Sequence, residues 1–497
     1  MITGWHRSVL LSLTALFLTN CGGSGSTHMA SSGSSVAPAS LPPCGIEGTG
    51  KNVQDCSGPG LEQLPTGNSL IPTCAPVGGV AFTLLVVGSG DFSADSVVQW
   101  NGSDRPTTVD GAQLYAEISA SDIAAAGTAT VTVKSGRGAS SFSALTFTIS
   151  AGGVSPQSVA VDPTGKFAYV ASTGCPDSFV GSVSMYTIDA TTGVLTSLGS
   201  PVAADYGPHS LAVDPTGKFV YVANDGDYEA TAGSVSVFTI DATSGALSLM
   251  ETLDAPCAIG PGSCAPSSVA VHPSGKFVYV ANEGGFAPTT LSMYAANVTT
   301  GALGFVGLAT AAGRAVSVAV HPSGQFAYLV NGFDTPASVS MYAVNSSTGA
   351  LMSGGTIAAG TSPGSIAVDP TGKFAYVTNA GSNDVSMYTI NASNGVMTSG
   401  GTIAAGAAPS SIAVDPTGKF AYVTNAGSND VSMYTINAAT GALTPVGRID
   451  AGASPVSVTV DPAGKFAYVA NSNSNNVSMY SIDAATGVLT ALGTVGS

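Results

Sequence analysis

Charge is scarce in this chain of 497 residues: Asp, Glu, Lys and Arg together make up 8%, against roughly 25% in an ordinary soluble domain. Cations are scarcer still, 13 Lys and Arg against 29 acidic residues, for a net charge of −16. A polyanion would be repelled rather than giving up counterions to basic contacts, so nucleic acid is excluded as a partner. Beyond the N-terminus the sequence also lacks any uncharged apolar run near the roughly 20 residues that a membrane-spanning helix needs. What it has in plenty is punctuation. The 63 Gly and 28 Pro leave no room for long helices, and Val, Ala, Ser, Thr and Tyr fill the intervals with strand-forming side chains. An all-β protein is expected. At about 150 residues per domain the length allows about three domains, unless repeats build one larger unit.

Residues 1–20 begin with His6 and Arg7 and run into an apolar stretch from Val9 to Leu18, too short to span a bilayer and built like a signal peptide. Leu18-Thr19-Asn20-Cys21 resembles the bacterial lipobox, with Asn20 where a small residue is usual. The resemblance implies acylation of Cys21, which anchors a protein stably without a transmembrane helix when several chains are attached. The alternative is an ordinary secretory signal that leaves Cys21 unmodified. Either way the protein is expected outside the cytoplasm, in the bacterial cell envelope at the periplasm or cell surface. Residues 21–65, rich in Ser, Gly and Pro, read as a flexible tether. Export makes disulfides permissible for the six cysteines other than Cys21. Only Cys257 and Cys264 are close enough to suggest a pair, closing a loop worth about 2.5 kcal/mol in the chain-entropy model. No His or second Cys pair stands at metal-ligand spacing, and neither a metal nor a cofactor is expected.

From 66 to 150, short alternating runs (Ala81 to Val87, Ser96 to Trp100, Gln113 to Ile118, Thr128 to Val133, Ala144 to Ile149) are separated by Gly, Asn and Asp turns. They predict a small antiparallel sandwich with Trp100 in its core. The stretches GSGDFSADSVVQWNGSDRPTTV and SDIAAAGTATVTV resemble an IPT/TIG-type immunoglobulin-like domain, which implies a spacer or contact module.

From 151 to 497 the chain repeats itself. PQSVAVDPTGKFAYVAS at 156 returns six times, with the turn-entering residue at Asp162, Asp214, His272, His321, Asp369, Asp415 and Asp461. Each copy carries four strand signals in about 46 residues or more. Seven such units predict a seven-bladed β-propeller, because a blade cannot bury both faces until its neighbours cover them. A solenoid would not explain four strands per repeat. Lys166, Lys218, Lys276, Lys373, Lys419 and Lys465 read as hairpin lysines rather than a basic site, and His272 and His321 as turn residues. Met185, Met293, Met341, Met387, Met433 and Met479 read as packing between blades.

With strands a to d running outward from the axis, the a–b and c–d turns share one rim, and they are monotonous. The b–c and d–a loops share the other, where the lengths and the unusual residues vary. Binding usually resides in such loops on a rigid scaffold, so the candidate ligand surface comprises Tyr206, Asp225, Tyr228, Glu229, Phe286, Arg314, Phe333 and Asp334.

Tyr376-Val377-Thr378-Asn379 and Tyr422-Val423-Thr424-Asn425 resemble YVTN-type propellers, and the span from about 155 onward resembles the seven-bladed lactonase family, which includes 6-phosphogluconolactonase-like proteins. The resemblance implies a His after Pro at one strand entrance, matched by Pro208-His209, and a Glu after Asn in the next repeat, matched by Asn282-Glu283. The Arg of the family pattern falls on Ser267. Arg314 can substitute for it from the next blade, one or two residues out of register. His209 and Glu283 are therefore the candidate catalytic pair. A phosphorylated substrate is not expected, since Arg314 and Arg448 are the only propeller cations outside the turn lysines. The expected function is an envelope-anchored, monomeric platform that binds a small molecule, glycan or envelope protein and meets the membrane only through its lipid. The alternatives are a lactonase using His209 and Glu283, or a structural protein of the cell surface.

Overall fold

The computed structural model describes residues 69–71, 74–76, 81–88, 92–125, 127–134, 143–150, 155–174, 180–226, 233–256, 264–283, 289–332 and 336–497. From 155 onward the repeats form seven antiparallel sheets, each in the order a, b, c, d. The inner strands are Pro156–Val161, Pro208–Val213, Pro266–Val271, Arg314–Val320, Pro363–Val368, Pro409–Val414 and Pro455–Val460. The b strands, Phe167–Ser172 and its six counterparts, are buried at every position. That is why they read as unbroken Phe-Ala-Tyr-Val runs, with neighbouring sheets on both faces. Each inner strand packs against the next, and Pro455–Val460 packs against Pro156–Val161. The ring is a seven-bladed β-propeller.

Every blade is one uninterrupted stretch of chain, so the ring closes without strand exchange between the first and last blades. Closure instead uses the bonds that join every other pair. The b-strand tyrosine of each blade donates its hydroxyl to a glycine carbonyl in the c–d turn of the next: Tyr169 to Gly245, Tyr221 to Gly301, Tyr279 to Gly349, Tyr328 to Gly395, Tyr376 to Gly441, Tyr422 to Gly487 and Tyr468 to Gly193. The turn glycine is required twice over. Gly193 has φ +72°, and a Cβ there would meet the Phe466 ring at 2.2 Å, so only a residue without a side chain accepts both the backbone and the neighbour.

The methionine series lies between blades, as expected. Met185, Met293, Met341, Met387, Met433 and Met479 each accept a backbone N–H from the next blade through sulfur, for example Leu247 N to Met185 Sδ at 3.1 Å. Blade 2 has Val237 at this position. There Glu251 reaches across, and its carboxylate accepts the Leu303 N–H at 2.9 Å. The a–b turns are held by their entrance residue. Asp162 accepts the N–H groups of Lys166 and Phe167 on one oxygen and of Thr164 on the other. His272 and His321 replace the carboxylate differently: Nδ1 accepts the N–H of Ser274 or Ser323, and Nε2 donates to the carbonyl of Gly324 or Gly372 in the next blade.

Residues 69–150 form two further sheets around one hydrophobic cluster. One orders Ser69–Ile71, Phe82–Val87, Gln113–Ile118 and Thr107–Asp110. The other orders Cys74–Pro76, Leu145–Ser150, Gly127–Lys134, Val97–Trp100 and Ser103–Asp104. Trp100 is buried between them, 4.9 Å from Phe147 by ring centroid. Phe82–Val87, Val97–Trp100, Gln113–Ile118, Gly127–Lys134 and Leu145–Ser150 fall where alternation predicted strands, while the remaining four strands, two to four residues long, were not read from the sequence. Among the described residues no helix is long and apolar enough to cross a membrane.

Candidate functional site

The d–a and b–c segments meet on one rim and tie to each other through the backbone. In blade 2 the Asp225 N–H donates to Gly207 O at 2.9 Å and the Gly226 N–H to Tyr206 O at 3.1 Å; in blade 3 the Glu283 N–H donates to Ala265 O at 2.8 Å. Gly207, at φ +64°, permits this approach, because a Cβ there would lie 1.8 Å from Asp225 Oδ1.

His209 sits at a register shift between Pro208 and Ser210 and is exposed at the rim. Its Nδ1 lies 2.9 Å from the carbonyl oxygen of Ser267 in blade 3. A carbonyl only accepts, so Nδ1 carries the proton, and the neutral tautomer this contact selects has its lone pair on Nε2. Ser267 extends the chain of contacts: its buried hydroxyl donates to Ala315 O in blade 4 at 2.9 Å. Next to Ala315, the Arg314 guanidinium forms an ion pair with Glu283, whose side chain is 16% exposed against 31% for Arg314. Arg314, out of register with Ser267 in sequence, thus meets Glu283 in space. His209 and Glu283 make no direct hydrogen bond to each other, and the Ser267 carbonyl is the contact through which His209 meets blade 3.

Two placements differ from the sequence reading. Tyr206 ends a strand, Val202–Tyr206, paired with strand c of blade 1, rather than lying in a loop; the Asp205 carboxylate beside it accepts a hydrogen bond from Ser234 Oγ in blade 2 at 2.7 Å. Arg314 likewise opens inner strand Arg314–Val320, paired with Gly332. In both cases Gly and polar flanks suggested a loop, whereas backbone pairing to an adjacent strand extends the sheet. Asp225 follows strand b of blade 2 as expected. Tyr228, Glu229, Phe286, Phe333, Asp334, Cys257 and Cys21 lie outside the described residues. Cys74 and Cys264 are both in disulfide form.

Sequence reasoning passed over Ser267, which was marked only as the place of a missing arginine. It also passed over the asparagines beneath the rim. In blades 5 and 6, Asn379 and Asn425 accept the N–H of Gly360 and Gly406 at 3.1 and 3.0 Å. In blades 2, 3, 4 and 7 the buried Oδ1 atoms of Asn224, Asn282, Asn331 and Asn471 have no hydrogen-bond partner among the described residues. Among the described residues no three His, Cys, Asp or Glu side chains gather as a metal site.

Residues 396–496 match the family model "Lactonase, 7-bladed beta-propeller", and residues 157–395 match that of the choice-of-anchor I domain. No curated protein matches the chain. Solved structures that resemble it include the periplasmic gluconolactonase of Pseudomonas aeruginosa, with 20% identity, a TM-score of 0.55 and 63% of this chain covering 93% of that one. A candidate 6-phosphogluconolactonase from Bacteroides uniformis gives 20% identity, a TM-score of 0.55 and coverage of 63% and 92%. Hydrazine synthase of Kuenenia stuttgartiensis gives 22%, 0.52, and coverage of 67% and 96%. At these identities the likeness shows the lactonase-like propeller fold.

Proposed function

We propose that this propeller is an exported, lipid-anchored protein whose blade 2 to blade 4 rim binds a lactone and hydrolyses its ring. The observation that carries this reading is the Ser267 carbonyl on His209 Nδ1, which fixes the tautomer and leaves Nε2 as a base facing solvent. In the proposed reaction His209 Nε2 takes a proton from water as its oxygen attacks the lactone carbonyl. Arg314, oriented by Glu283, stabilises the tetrahedral oxyanion. Collapse breaks the ring C–O bond, and His209 returns the proton to the leaving alkoxide, giving the hydroxy acid. The gluconolactonases of the same fold favour this chemistry by analogy only.

In this reading Cys21 carries the anchor, residues 21–65 the tether and residues 66–150 an IPT/TIG-type immunoglobulin-like spacer. Cys264 pairs with Cys257, supported by the 3.6 Å approach of Cys264 Sγ to the carbonyl of Pro256, the residue before Cys257. The second reading, a binding platform without chemistry, is favoured by the same ion pair, because Glu283 neutralises the cation that catalysis needs. A panel of aldonolactones separates the two. Turnover that falls at least about 100-fold in His209→Ala supports hydrolysis; saturable binding without turnover, unchanged in that variant, rejects it.

A further inference from the structure

The opposite rim, made of a–b and c–d turns, departs from its commonest a–b turn in three blades. The a–b turn reads Asp-Pro-Thr-Gly in blades 1, 2, 5 and 6, His-Pro-Ser-Gly in blades 3 and 4, and Asp461-Pro462-Ala463-Gly464 in blade 7. In the four threonine turns one carboxylate oxygen receives two bonds from the same residue. Asp162 Oδ2 takes the Thr164 N–H at 2.9 Å and its hydroxyl at 2.5 Å, and Asp214, Asp369 and Asp415 repeat the pattern with Thr216, Thr371 and Thr417. In blade 7 the Ala463 N–H alone reaches Asp461 Oδ2, at 3.1 Å. The hydroxyl is missing, and Asp461 is buried like the other four turn aspartates.

Beside this turn an open cleft of about 310 Å3 lies at the junction of blades 7 and 1. Asp461, Ala463 and Lys465 line it from one side, Thr164 and Ile188 from the other, with Pro462 at its edge. The volume lies at the small end of ligand sites. One acidic and one basic residue, Asp461 and Lys465, line it, so a neutral ligand suits it better than an ion. Ile188 and Pro462 offer an apolar wall beside those polar groups, which matches a molecule with a C–H face and a hydroxyl edge.

We propose that this cavity binds a single neutral monosaccharide unit, one of whose hydroxyl groups donates to Asp461 Oδ2 in place of the absent threonine hydroxyl, while Lys465 donates to another. The site is independent of the lactone reading and lies on the other rim. It is tested on the mature full-length protein by saturation-transfer NMR and titration with D-glucose, D-galactose and D-mannose, with glycerol as the small-polyol control. At least one hexose should give saturable binding that glycerol does not match. Ala463→Thr rebuilds the turn that four other blades already contain, so it folds with an unchanged or higher melting temperature, and it should weaken hexose binding about tenfold or more. Asp461→Asn should weaken it as well, and His209→Ala should leave it intact. Absence of saturable binding with all three hexoses, equal binding of glycerol, or undiminished binding in Ala463→Thr overturns the proposal.

Discussion

The Tyr468 hydroxyl of the last blade donates to the Gly193 carbonyl of the first at 2.9 Å, the same bond at the same length as Tyr376 to Gly441 inside the ring. The closing junction is chemically one more copy of the repeat. Tyr468→Phe and Tyr376→Phe should therefore lose similar stability, about 1–2 kcal/mol each, from a buried carbonyl left without its donor. Urea midpoints of the two variants provide the measurement. A much larger loss in Tyr468→Phe would mean that closure depends on that bond more than the other junctions do.

Blade 2 permits a test of compensation. Glu251→Ala removes the acceptor of the Leu303 N–H and should cost about 1–3 kcal/mol. Val237→Met introduces the thioether that serves at the other six junctions. The double variant should recover much of the loss, giving a coupling energy of about 1 kcal/mol in a double-mutant cycle. Simple additivity would show that the two side chains do not answer the same backbone group.

Alkaline pH should weaken the fold. Burial pushes the phenol of Tyr186 up to about 12, and it raises Tyr169, Tyr221, Tyr279, Tyr328, Tyr376, Tyr422 and Tyr468 further. The unfolded chain, with phenols near about 10, releases these protons first, so it binds fewer protons than the native state. The stabilisation is complete below about pH 10 and is lost as pH rises toward the folded values. Urea midpoints near neutrality should fall steeply above about pH 10, and a single b-strand Tyr→Phe variant should flatten the slope.

At the candidate site, Arg314→Gln keeps a hydrogen-bonding side chain but removes the charge. If Arg314 stabilises a transition-state oxyanion, kcat should fall about 10- to 1,000-fold with little change in KM. A rise in KM with kcat unchanged would assign Arg314 to ground-state binding instead.

The scaffold was legible because its residues recur: seven tyrosines, six methionines and seven turn-entering Asp or His residues announce the junctions they build. Ala463 was equally visible as a departure, yet its consequence depends on an absent hydroxyl, and only coordinates reveal the space beside Asp461. Arg314 was legible as a stand-in for the missing cation, but its ion pair with Glu283 was not, because it depends on a strand that begins at Arg314 itself. Ser267 escaped notice because it acts through its backbone carbonyl, which every residue possesses. Val237 and Glu251 lie on neighbouring strands, 14 positions apart, and no periodic pattern connects a lost thioether with a gained carboxylate.

Because each blade is finished before the next begins, no early segment of the propeller waits for a distant strand to complete its sheet. A chain emerging in order can complete its blades one at a time, and only the last contact, between Pro455–Val460 and Pro156–Val161, joins the two ends. Joining those ends by a linker and opening the polypeptide at any other junction should yield the same ring from a rearranged gene.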